Sequence, residues 1–196
     1  MNTPDVRPPK LITFYEAKLG PMWSGKTTAS DYKIRVRGAL GLNSYILDTC
    51  NTRNTERDLR NKVVGADHVT ILSSIEDLYN IYDANGLVVI DEVHLYEVFG
   101  LAKQLEKAVA HLNGRVRNVI VCGLLIDCYN DFRIFPVWSR LLPLMHEVCM
   151  YQSFKPCDEC GATEQVIYTL PTGTEKIGDS YKNICYKCYH KEDKRG

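Results

Sequence analysis

No stretch of this 196-residue chain approaches the ~18 consecutive apolar residues of a membrane-spanning helix. Its start, MNTPDVRPPK, lacks the apolar core of a secretory leader, so no signal segment is expected. An excess of one charge is missing too: Lys and Arg number 24, Asp and Glu 24. That balance argues against a dedicated nucleic-acid binder, which ordinarily carries a basic surplus. No internal repeat or low-complexity tract is found. What is present is an ordinary globular composition, 45% hydrophobic and 24% charged, enough for one core and a small appendage. Eight cysteines without a leader point to a reducing, cytoplasmic setting, where thiols serve metals before disulfides.

Residues 1–10, with three prolines, read as a loose tail. Beyond them, apolar runs of β type alternate with helical patterns. LITFYEAKL (11–19), SYILD (44–48), HVTIL (68–72), LVVID (87–91) and NVIVCG (118–123) are the expected strands. A helix is expected after residue 26, with Tyr32, Val36 and Leu40 on one face. A second should carry Val98, Leu101, Ala102, Leu105 and Val109, and a third should lie within 137–148, bent or shortened at Pro143. Short buried strands between helices predict an α/β fold, a parallel sheet covered on both faces, over 11–150. From about residue 150 cysteines, tyrosines, lysines and turn residues take over, so 151–196 reads as a second, smaller unit.

Three constellations carry chemistry. GPMWSGKTT, residues 20–28, fits G-x-x-x-x-G-K-[ST] at Gly20, Gly25, Lys26 and Thr27. Glycines let the backbone wrap a phosphate closely, and the following helix aims its free N–H groups at the anion. Gly20, Pro21, Met22, Trp23, Ser24, Gly25, Lys26, Thr27 and Thr28 are thus the expected nucleotide loop. Lys26 would reach the β- and γ-phosphates, and the Thr27 hydroxyl would sit on Mg²⁺. LVVIDEVH (87–94) ends a strand in Asp91 and Glu92. Asp91 suits Mg²⁺, and Glu92 suits taking a proton from an attacking hydroxyl or water. His94 stands beside this pair. Cys157-x-x-Cys160 and Cys185-x-x-Cys188 have ligand spacing, and four thiolates leave no open position, so a zinc there would be structural. Cys50, Cys122, Cys128 and Cys149 lack such spacing and read as buried small hydrophobes. Histidines 68, 111, 146 and 190 read as packing or surface residues.

GPMWSGKTT, VVIDEVH, GLLIDCYNDF, IGDSYKNICYKCY and the two C-x-x-C pairs, in that order, resemble the type II thymidine kinases over about residues 11–190. The resemblance implies a phosphate-loop α/β domain and a zinc-held lasso that closes over a nucleoside. It implies transfer of the γ-phosphoryl group of ATP, with Mg²⁺, to the 5′-hydroxyl of thymidine, commonly by a tetramer. By position it assigns Lys26 and Thr27 to phosphate and metal, Asp91 to the metal side and Glu92 to the base. It places Met22, Leu124 and Thr169 around the thymine methyl, and Tyr181 in the lasso after Ile177–Gly178. The sequence departs from the family where Val93, His94 and Leu95 follow the acid pair. It departs again where Asp127–Cys128 stands for Asp-Phe, with Asp131–Phe132 as a shifted alternative, and where Asn51-Thr52-Arg53 stands for Asp-x-Arg. Two aromatic walls of the base pocket are therefore missing from their usual positions.

Two other readings compete. DEVH after an apolar strand also resembles a DExH-type, nucleic-acid-dependent ATPase with a zinc ribbon, though 196 residues cannot hold the second lobe such motors need. The departures also fit a degenerate paralogue that binds nucleotide without turnover.

Overall fold

The computed structural model describes residues 11–48, 59–63, 65–127, 133–171 and 181–192. The expected tail at 1–10, and Cys50 and Cys128, lie outside them. Along the chain run β1 (Phe14–Leu19), α1 (Lys26–Ala39), β2 (Ser44–Asp48), α2 (Leu59–Lys62), β3 (Val69–Leu72), β4 (Asp83–Asp91), α3 (His94–Val98) and α4 (Ala102–His111). There follow β5 (Val116–Gly123), β6 (Ile126–Asp127), β7 (Arg133–Ile134), α5 (Pro136–Leu141), β8 (Glu147–Met150), β9 (Val166–Pro171), β10 (Tyr181–Cys185) and α6 (Tyr186–Glu192). A 6-stranded sheet has the order β3-β2-β4-β5-β1-β8, every pair parallel. The fold is the expected α/β architecture.

Both faces of the central strands are buried, which is why β2, β4 and β5 contain apolar runs. On one face Tyr15, Ala17, Leu19, Val88, Ile90, Val119 and Val121 share a core with Leu105 and Val109 of α4 and Trp138 and Leu141 of α5. On the other, Ile46, Leu87, Val89, Ile120 and Cys122 pack with Ile34 of α1 and Leu59 of α2. That second face also holds charge. Glu16 and Lys18 of β1 are 4% and 3% exposed, and Lys18 Nζ lies 2.7 Å from Glu16 Oε1. Lys33 of α1 takes the other Glu16 oxygen, and Lys18 donates to Tyr151 OH at 3.1 Å. A third cluster, Cys157, Val166, Leu170, Ile184 and Cys185, lies under the antiparallel pair β9–β10. Among the described residues no helix is long and apolar enough to cross a membrane.

Three elements differ from expectation. The helix after the phosphate loop turns its other face inward: Tyr32 and Leu40 are 69% and 68% exposed, while Ser30, Ile34 and Gly38 are buried. Small residues decide this, because a Cβ on Gly38 would come within 2.6 Å of Asp67 O. The helix expected through Val98 and Val109 is two helices, α3 and α4, broken at Gly100, whose φ is +71°. The helix expected over 137–148 stops at Leu141, passes through a 3-10 turn containing Pro143, and leaves Glu147–Met150 as β8. Proline has no N–H for a helix interior, and β1 gains an edge partner in the register Glu16↔Glu147 to Leu19↔Met150.

Candidate active site

The loop joining β1 to α1 lies at the carboxyl end of the sheet, where open α/β sheets bind ligands. Its two glycines are favoured for different reasons. A Cβ on Gly20 would meet the backbone Tyr151 O at 2.7 Å, while Gly25 stands at φ +81°, where a side chain is strained. Between them Trp23 also takes a positive φ, +61°, and Lys155 Nζ sits 3.9 Å over its ring centroid. Lys26 folds back into the loop, donating to Gly20 O at 2.9 Å, Pro21 O at 2.7 Å and Ser24 Oγ at 3.1 Å. Burial weakens its hold on the proton, against the carboxylates of Glu92 and Asp91, which strengthen it. The Thr28 side chain points elsewhere, accepting from Lys62 Nζ at 3.1 Å.

β4 brings the acids to this loop. Thr27 Oγ1 donates to Asp91 Oδ2 at 3.1 Å, and Glu92 N donates to Asp91 Oδ1 at 3.0 Å. The sheet register sets Asp48, at the end of β2, opposite Asp91. Burial first, and then Asp48, push the Asp91 carboxyl up to about 6, against the Glu92 N–H, Lys26 and Thr27. Buried carboxylates facing each other beside a threonine hydroxyl form a donor set suited to a hard divalent cation. Glu92 follows at φ +53°, in the left-handed region. A non-glycine residue held there costs on the order of 1–3 kcal/mol, and such strain concentrates at functional sites.

His94 is buried with its Nδ1 3.4 Å from Glu92 Oε2, accepts the Leu124 N–H at 3.3 Å, and has its ring 5.1 Å from that of Phe135. Trp138 Nε1 donates to Leu124 O at 2.6 Å, so Leu124 is clamped at both backbone groups. Met22 N donates to Thr169 Oγ1 at 2.9 Å, which joins the loop to β9. Tyr181 begins β10, half-buried and opposite Pro171. Ile177, Gly178, Asn51-Thr52-Arg53 and Asp131–Phe132 lie outside the described residues. Sequence reasoning missed Asp48, whose signal was an acid ending the neighbouring strand, and Phe135, which had none.

The four spaced cysteines converge. The Sγ atoms of Cys157, Cys160, Cys185 and Cys188 all lie within 4.8 Å of one another. Cys160 and Cys185 are 3.7 Å apart, near the ~3.8 Å edge of a tetrahedron with zinc–sulfur bonds of ~2.3 Å. Burial acts upward on the Cys157 thiol, but N–H donors from Cys185, Cys160 and Glu159 outweigh it and hold the thiol at about 7. These residues fit a zinc ion. Of the other cysteines, Cys122 is buried as expected, whereas Cys149 is half-exposed, 3.4 Å from Glu147 Oε1.

A family model described as thymidine kinase matches residues 13–189 of the chain. No curated protein matches it at a significant level.

Proposed function

The chain belongs to the thymidine kinase family, and on that premise we propose that it transfers the γ-phosphoryl group of ATP to the 5′-hydroxyl of thymidine or a closely related deoxynucleoside. The observation that carries this reading is the convergence of Lys26, Thr27, Asp91 and Glu92, with Thr27 Oγ1 3.1 Å from Asp91 Oδ2. Lys26 leaves its loop carbonyls to neutralise charge on the phosphoryl group in flight, a term worth most in a dry site. Thr27 and Asp91 would hold Mg²⁺, which would supply charge neutralisation for the phosphates. Glu92 takes the hydroxyl proton as the nucleophile attacks. Met22, Leu124, Thr169 and Tyr181, with Ile177 and Gly178, form the acceptor side. The cysteines hold a structural zinc, 11–150 and 151–196 work as two units, and the chain acts in the cytoplasm as a homotetramer.

The test compares wild type with Glu92→Gln, which keeps shape but removes the base. Phosphorylation of thymidine should fall roughly 10²–10⁴-fold with ATP affinity unchanged. Equal rates would remove Glu92 from the chemistry. Wild-type ATP consumption that answers to single-stranded DNA and not to any deoxynucleoside would overturn the reading.

A further inference from the structure

The loop N–H of Met22 is occupied by protein, and the group that occupies it belongs to a buried chain of directional hydrogen bonds. Thr169 Oγ1 accepts from Met22 N at 2.9 Å and lies 3.3 Å from Asn183 Oδ1, to which its own hydrogen is donated. Asn183 Nδ2 donates to Ser153 Oγ at 3.1 Å. Ser153 Oγ accepts from Lys155 N, also at 3.1 Å, and the adjoining Phe154 N donates to Trp23 O at 2.9 Å. The path therefore leaves the phosphate loop at Met22, crosses β9 and β10, and returns at Trp23. Thr169, Asn183 and Ser153 are all buried. The Asn183 main chain is held as firmly: its N–H donates to Asp158 Oδ2 at 2.5 Å and its carbonyl accepts from Asp158 N at 2.8 Å. Asp158 sits inside the Cys157–Cys160 turn.

We infer that Asn183 is a positioning residue for the phosphate loop, fixing Met22 and Trp23 from the four-cysteine unit through Thr169 and Ser153. The chemistry of the position suits the path. The Asn183 amide takes the Thr169 hydrogen on Oδ1 and gives Nδ2–H to Ser153 Oγ, so one planar group serves both hydroxyls. A leucine offers neither donor nor acceptor. In such a buried path each lost partner strands another polar group, so the bonds act as a unit. The consequence reaches both substrates. Met22 lies in the loop that wraps the phosphates and, with Thr169, on the acceptor side of the proposed reaction; that second half rests on the proposed function.

The experiment uses the full zinc-loaded chain and the variants Asn183→Leu, Thr169→Val, Thr169→Ser and the Asn183→Leu/Thr169→Val pair. ATP affinity is titrated through Trp23 fluorescence with no acceptor present, alongside zinc content, melting temperature and the KM for thymidine. Asn183→Leu and Thr169→Val should each weaken ATP binding by about three- to tenfold, the pair no more than either alone, and Thr169→Ser should retain wild-type affinity. Zinc should stay at one per chain throughout. Unchanged ATP affinity with only a lower melting temperature would overturn the inference, as would losses that multiply in the pair. Should Asn183→Leu not fold, Thr169→Val against Thr169→Ser decides alone. A wild type that binds ATP but phosphorylates no deoxynucleoside refutes the proposed function and leaves the ATP-binding comparison to judge Asn183.

Discussion

Lys18 and Glu16 point to the same side of β1, into the sheet face that also carries Ile46, Leu87, Val89, Ile120 and Cys122. Removing one partner strands the other, whereas replacing both by apolar groups costs little. Lys33 keeps the other Glu16 oxygen, so Lys18→Met should destabilise the chain by roughly 1–3 kcal/mol, and adding Glu16→Leu should restore part of it, read as urea midpoints. The pH dependence has a definite sign. Burial pushes the Glu16 carboxyl up, but Lys18 and Lys33 outweigh it and hold it below its usual 4.5. Burial likewise acts downward on Lys18, but Glu16 and Tyr151 raise it from 10.5 to about 12. The carboxylate's contribution is complete above 4.5 and is lost as pH falls through the lower native value. The ammonium's is complete below 10.5 and is lost as pH rises through about 12. The difference in midpoint between wild type and the double variant should thus be flat between these limits and shift outside them. A difference that stays flat into acid would show that Glu16 is not held as a carboxylate.

α1 supplies a second test, because two rules give opposite signs there. Gly→Ala inside a helix normally stabilises by about 1 kcal/mol. At Gly38 the new methyl would meet the Asp67 carbonyl at 2.6 Å, a backbone atom that cannot swing aside. Gly38→Ala should lower stability by roughly 1–3 kcal/mol in thermal denaturation, and a stabilised variant would mean that α1 rides farther from the sheet. The same residue explains what sequence could and could not convey. β2 was legible to its end residues, since burial on both faces leaves an uninterrupted apolar run. The inward face of α1 was not, because periodicity weighs large side chains while close packing here uses Ser30 and Gly38. β8 was hidden for another reason: its partner β1 lies some 130 residues earlier, and nothing local in Glu147–Met150 announces the pairing. The site divides the same way. Lys26, Thr27, Asp91, Glu92 and the four cysteines stand at spacings that chemistry fixes. Asp48 reaches the site only through sheet register, whereas His94, which the sequence already set beside the acid pair, gains its contacts with Glu92 and Leu124 through a strained turn.

At the scale of the molecule, the cluster under β9 and β10 is too small to hold itself. Among the described residues five buried ones, two of them cysteines, form its core, so metal binding should supply most of its folding free energy. Removing the metal with a strong chelator should release one zinc per chain and open 157–188 to proteolysis while 11–150 stays resistant. Unchanged cleavage would mean that the thiols fold without a metal. The sheet order has a consequence in time. Of the described strands in the sheet β1 comes earliest in the chain, yet its neighbours are β5 and β8, and the strand that follows it pairs elsewhere. At ~5–20 residues per second, roughly 5–20 s pass before the ribosome delivers Val116–Gly123. For that interval the nascent chain carries Tyr15, Ala17 and Leu19 with no strand to lie against, and the phosphate loop has no floor. On the proposed function, nucleotide could not guide the early steps of folding; it could only reward a chain that is already nearly complete.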